Sequence, residues 1–116
     1  MLGLSANLNY YLFNGNVDLR KGIFRLCESI REEMSLDPSD ASNVYMFMSR
    51  NRKVVKILHY ERGFYVLYEK RPVMGKSKKP VFDEVSRCYR IQWSDMAYLT
   101  ESIVVDKMYV SPKGQY

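Results

Sequence analysis

The sequence predicts an α+β fold: an antiparallel meander sheet of about 4–6 strands packed against one long helix (about 18–34), plus a short C-terminal helix (about 94–103). Three observations lead there. Aromatic residues make up 14% of the 116, ten of them tyrosines, and such side chains suit a pleated, half-buried surface. Residues 43–70 hold three apolar or alternating runs joined by turns short enough only for antiparallel neighbours. Between Leu19 and Met34, by contrast, the apolar residues recur every three or four positions, the period of one helical stripe.

Tyr10-Tyr11-Leu12-Phe13 reads as a short strand, halted by Asn14-Gly15, two residues that tolerate positive φ. Asp18 follows as the predicted N-cap, its carboxylate accepting from free N–H groups of the next turn. Leu19, Ile23, Leu26, Cys27, Ile30 and Met34 then form the stripe. Pro38 keeps the helix from running past Asp37. From Asn43 to Ser49 the chain alternates, Val44, Met46 and Met48 on one face, Tyr45, Phe47 and Ser49 on the other. Arg50-Asn51-Arg52-Lys53 is the hairpin turn, with Asn51 as its left-handed residue. Val54–Tyr60 returns, Glu61-Arg62-Gly63 turns again, and Phe64–Lys70 is the third strand. Both faces of these strands are apolar, so one meets the helix and the other needs a cover, for which a second subunit is a candidate.

Pro72–Pro80, with two prolines, a glycine and three lysines, reads as a mobile basic loop rather than an element. Val81–Val85 is ambiguous. Arg87–Trp93 alternates again and is predicted as a fourth strand on the meander side, Arg87, Tyr89, Ile91 and Trp93 sharing a face. Ser94 is the predicted N-cap of the short helix carrying Met96, Leu99 and Ile103. Val104–Val110 is a candidate edge strand, and 111–116 reads as a flexible tail. The length fits a single domain spanning 1–116.

Charge is segregated along the chain. Between Arg50 and Arg90 stand twelve cations against four acids, a surplus of eight where the whole protein carries +5. That asymmetry points to an anionic partner, of which nucleic acid is the commonest, although many basic domains bind none. Arg20 and Lys21, placed in the first helical turn, oppose the helix dipole at a cost of about 0.3–1 kcal/mol each. They either form an anion site with the free N–H groups or have no ligand, Asp18 neutralising Arg20, Lys21 solvated and Gly22 letting the helix approach a strand. The candidate nucleic-acid or anion-binding residues are Arg20, Lys21, Arg50, Arg52, Lys53, Lys56, Lys76, Lys78 and Lys79. Tyr60, Tyr65 and Tyr68 are either base-stacking partners or, more in keeping with their spacing, sheet packing.

Enzyme chemistry finds little support. His59 is the one histidine and has no Cys or carboxylate at metal-ligand spacing, which makes it structural or superficial. Gly75-Lys76-Ser77 echoes the end of a phosphate loop, but the glycine required five residues earlier is Lys70. No catalytic residue, metal site or cofactor is predicted. Cys27 sits on the helical stripe as a small buried hydrophobe, and the expected environment is reducing and cytoplasmic, with no apolar run of the ~20 residues a membrane helix needs.

The order of motifs resembles one family. Asp18-Leu19-Arg20-Lys21-Gly22, then Phe47, Arg50-Asn51-Arg52-Lys53, Val55-Lys56-Ile57-Leu58, Gly63-Phe64 and Tyr68-Glu69-Lys70-Arg71 look like the TnpB-type accessory protein, the second reading frame of insertion-sequence-66 transposons. The likeness covers roughly residues 9–103, with a weaker match at Ser94-Asp95-Met96 and Leu99. The chain departs from it at Tyr60-Glu61, where the family favours Trp-Asp, at Trp93-Ser94, where it favours Leu-Thr, and in a longer lysine loop. The resemblance implies a non-catalytic accessory factor for DNA transposition, with DNA and the transposase of the same element as partners. A protein–protein adaptor or homo-oligomeric module without nucleic-acid contact is the alternative.

Overall fold

The computed structural model describes residues 4–13, 19–20, 22–77, 79–81, 86, 88–101 and 103–104. Asp18, Lys21, Lys78 and the 111–116 tail lie outside them. The elements in order are β1 (Asn9–Phe13), α1 (Ile23–Met34), β2 (Asn43–Met48), β3 (Val55–Glu61), β4 (Phe64–Lys70), β5 (Lys76–Ser77), β6 (Cys88–Ile91), α2 (Trp93–Glu101) and β7 (Ile103–Val104). Five strands form one sheet in the order β4-β3-β2-β1-β6, and β5 pairs with β7 beside it.

The β2-β3-β4 meander is antiparallel, as the short turns predict. Its second turn is the tightest kind: Arg62 and Gly63 both take positive φ (48° and 88°) between the paired Glu61 and Phe64. The sheet as a whole, however, is mixed rather than antiparallel. β1 runs parallel to β2, Tyr10 opposite Val44 and Phe13 opposite Phe47. Parallel neighbours need a long crossover, and the 14–42 segment with α1 in it supplies one. β6 then pairs antiparallel with the far side of β1, away from the meander, so the predicted meander-side strand is also corrected. Trp93 is not part of it but opens α2, its ring 5.4 Å from that of Tyr10.

Helix α1 begins at Ile23, not at Asp18, and has 12 residues, about three turns. The backbone around Leu19 is engaged differently. In a helix starting at residue 18 the Leu19 C=O would accept from the Ile23 N–H; here it accepts instead from the Lys56 ammonium of β3. The first intrahelical bond runs from the Leu26 N–H to the Gly22 carbonyl, and Gly22 is the extended N-cap without a side-chain cap. A Cβ on Gly22 would meet nothing within 4 Å, so close approach to a strand is not what the glycine serves. At the other end Ser35 takes a left-handed conformation (φ 55°), and the Leu36 N–H returns to the Ile30 carbonyl.

Both sheet faces are filled by this same chain. On one, Leu26, Cys27 and Ile30 of α1 pack on Phe13, Tyr45, Phe47 and Leu58. On the other, Met96 and Leu99 of α2 pack on Tyr10, Leu12, Val44, Met46, Val55 and Ile57. The alternation of β2 therefore divides as predicted, and α2 packs on the second face. Asp95 reaches back to accept from the Gln92 N–H, so α2 starts one residue before the predicted cap Ser94. Cys27 is buried and both cysteines are free.

Tyr45 is the least exposed polar side chain of the central strand. Its hydroxyl donates to the Asp37 carbonyl (2.8 Å) and accepts from the Asn43 amide (3.1 Å). Burial pushes its phenol up to about 12, from the ordinary 10. The folded chain thus holds this proton more tightly than the unfolded one. Its contribution is complete below pH about 10 and is lost as pH rises through about 12. Tyr45→Phe should lower urea-unfolding stability by about 1 kcal/mol at neutral pH. That difference from the native sequence should shrink as the pH climbs above about 10; a gap that stays constant to pH about 12 would contradict the assignment.

Candidate nucleic-acid interface

The predicted cations lie mainly in connections, so strand direction decides where they go. β1 and β2 are parallel, and both Phe13 and Met48 therefore leave the sheet at the same end. β3 starts there with Val55 opposite Met48, β4 finishes there with Lys70 opposite Val55, and β6 starts there with Cys88 opposite Phe13. Every described residue of the 19–22, 49–54 and 71–81 connections joins the sheet at this end. These segments hold Arg20, Arg50, Arg52, Lys53, Arg71, Lys76 and Lys79, and among their described residues no acid.

At the opposite end one connection carries the reverse sign and another is balanced. The 35–42 segment brings Asp37 and Asp40, and the 61–64 turn adds Glu61 beside Arg62. Asp37 is held below the usual carboxylate range by hydrogen bonds from the Ser39 hydroxyl and backbone N–H, and Asp40 likewise by Ser42. Both stay ionised on exposed turns.

The hairpin tip is ordered by Asn51, though not in the way its residue type predicts. Arg52, not Asn51, takes the left-handed conformation (φ 60°). Asn51 is occupied instead: its side-chain oxygen accepts from the Ser49 hydroxyl (2.8 Å) and from the Lys53 N–H (3.0 Å). The Ser49 hydroxyl in turn accepts from the Val54 N–H. The lysine-rich stretch is tied to this tip, because the Ser77 N–H donates to the Arg52 carbonyl at 2.8 Å. Lys76–Ser77 form strand β5 within what the composition describes only as a loop, and Ser77 is buried. Arg50, Lys53 and Lys79 are exposed, while Arg52 and Lys76 are half-buried.

Two predicted cations have other placements. Arg20 is exposed but precedes the N-cap, so it does not sit in the first turn and does not oppose the helix there. Lys56 is built into the fold: its side chain is 11% exposed, its ammonium donates to the Leu19 carbonyl, and Glu69 lies 3.7 Å away. Glu69 is shared with Arg71 (2.9 Å), whose hydrogen bond, more than any other neighbour, keeps its carboxyl below the usual range.

The tyrosines belong to packing. Tyr65 joins the α1-side core and Tyr68 the α2-side core, and Tyr60 meets Tyr65 edge-on at 5.2 Å. His59 is buried, with Nε2 2.9 Å from the Ala41 carbonyl. Among the described residues no cluster of His, Cys, Asp and Glu is placed to hold a metal. Residue-type reasoning overlooked Arg25 and a set of exposed apolar side chains, Phe24, Val73, Met74 and Val81. A signal existed for Phe24, which falls between the stripe positions Ile23 and Leu26, where a polar residue is expected.

The family described as IS66 Orf2-like protein (TnpB_IS66) matches residues 8–109. The chain belongs to that family, which ties it to an insertion sequence and hence to transposition. No curated protein and no solved structure matches it. Among the described residues no helix is long and apolar enough to cross a membrane.

Lys56 and the exposed cations should behave differently on truncation. Lys56→Ala leaves the Leu19 carbonyl without its donor and should cost about 1–3 kcal/mol in urea unfolding. Arg50→Ala and Lys53→Ala should each stay within about 0.5 kcal/mol of the native sequence. Equal midpoints for Lys56→Ala and Lys53→Ala would return Lys56 to the solvent-facing set.

Proposed function

We propose that this IS66 Orf2-like chain is a non-catalytic accessory factor in DNA transposition, and that it contacts DNA through the cations at the end of the sheet where α1 begins. One observation carries the reading. The strand directions send Arg20, Arg50, Arg52, Lys53, Arg71, Lys76 and Lys79 to one end, where Glu69 pairs with Arg71, and Asp37, Asp40 and the neighbouring Glu61 and Arg62 to the other. A molecule so polarised presents one end to a phosphate backbone and is turned by the field of the duplex before contact. Lys21 and Lys78 belong to the same reading by sequence position. In this reading the transposase of the same element supplies the strand chemistry, and this chain, a member of the Orf2-like family, assists it. Its partners are therefore DNA and that transposase.

A second partner surface is favoured by the sheet edge. β4 has β3 as its one sheet neighbour among the described residues, and its first residue, Phe64, is exposed. An edge of seven residues can accept an added strand from the transposase or from a second copy.

Salt titration tests the main reading. Affinity for a 30-base-pair duplex should fall steeply with salt, the logarithmic slope being about 0.9 for each phosphate contacted. The combined variant Arg50→Glu, Lys53→Glu, Lys79→Glu should lose at least about tenfold in affinity and flatten that slope, each lost contact removing about 0.9 of it. Arg62→Glu, at the opposite end, should change neither. No measurable binding to DNA even at low salt would remove the proposal.

A further inference from the structure

We infer that the cation-bearing end recognises DNA with unpaired bases rather than smooth duplex, and that Phe24 is the residue on which a base stacks. The inference rests on the DNA-contacting reading above and sharpens it. Phe24 is 77% exposed although it stands in the first turn of α1, a helix whose stripe Leu26, Cys27 and Ile30 is fully buried. Its neighbours in the chain are cationic: Arg25 follows it, and Arg20 precedes the helix by two residues from the N-cap, both exposed.

An exposed phenyl ring has no folding role to explain it. It makes no part of either core, whereas Ile23 beside it packs on the α1-side core. Nor is Phe24 a lone case at that end. Val73, Met74 and Val81 are also exposed, on the 71–81 connection that leaves β4 beside Arg71, Lys76 and Lys79. Apolar groups interleaved with cations suit a polymer whose phosphates and uncovered base faces lie side by side. In an intact duplex the base faces are covered by their neighbours, and a ring held among phosphates finds only water and sugar. An unpaired stretch frees those faces, and a ring carried on the outer side of a fixed helix can meet one without any rearrangement of the protein. Arg20 and Arg25 would then neutralise the phosphates on either side of the stacked nucleotide.

The test compares three fluorescein-labelled DNAs of equal length: an intact duplex, the same duplex with a central unpaired bubble, and one strand alone. Anisotropy titrations use the full chain and its Phe24→Ala and Phe24→Trp variants. The native chain should bind the bubble and the single strand about tenfold more tightly than the duplex, within the range that stacking one base supplies. Phe24→Ala should erase that preference while leaving duplex affinity and the unfolding midpoint unchanged. Phe24→Trp should keep it. A native chain that binds all three DNAs equally, or a preference that survives Phe24→Ala, would overturn the inference and leave the DNA-contacting reading standing. Absence of binding to any of the three would overturn both.

Discussion

Parallel pairing of Asn9–Phe13 with Asn43–Met48 is the constraint from which the remaining architecture follows. Two parallel neighbours cannot be joined by a hairpin, so the chain between them must cross one face, and α1 lies in that crossing. Once β2 is central it has neighbours on both sides and covers on both faces. Val44 to Phe47 are accordingly all buried, with side chains alternating between the two cores. A strand so enclosed can be nearly continuous in apolar residues, as Val-Tyr-Met-Phe-Met is. The polar atoms it does bury are answered within the fold, Tyr45 by Asp37 and Asn43, and Asn43 also by Asn9 across the parallel pair.

The same pairing sorts charge. A helix crossover returns the chain to the end from which β1 began, so whatever follows β1 and whatever follows β2 share one end of the sheet. Arg20 and the Arg50–Lys53 turn, thirty positions apart in sequence, are brought to that end for this reason alone. The hydrogen bond from Ser77 to Arg52 then anchors the lysine-rich connection to the hairpin tip. Lys56 shows the complementary case. Its position one residue into β3 lets the ammonium hold the Leu19 carbonyl in the chain that leads into α1, four residues before the helix starts. A cation that in sequence is one more member of a basic run is here part of the framework.

Local order was legible wherever short-range rules decide it. The alternation of Val44–Met48, the two hairpin turns, the burial of Cys27 and the helical period from Ile23 to Met34 all survive in the fold. Boundaries failed where a distant partner intervened. In sequence the stripe extends back to Leu19, and Leu19 does pack on the α1-side core, yet its carbonyl accepts from Lys56. Asn51 has the residue type for a left-handed turn position, but its carboxamide is more useful as an acceptor, and the positive φ passes to Arg52. Trp93 continues the alternation of β6 on paper; contact with Tyr10 and the Asp95 cap make it the first residue of α2.

From its residues alone the chain determined an α+β composition, a three-stranded meander, family membership and a surplus of positive charge in its second half, since each depends on neighbours in sequence. Tertiary structure decided that the sheet is mixed, that both faces are closed by its own helices, and that charge divides between the two ends of the strands. Those outcomes depend on which strand lies beside which and in what direction, and pairing across more than thirty residues leaves no mark in local periodicity.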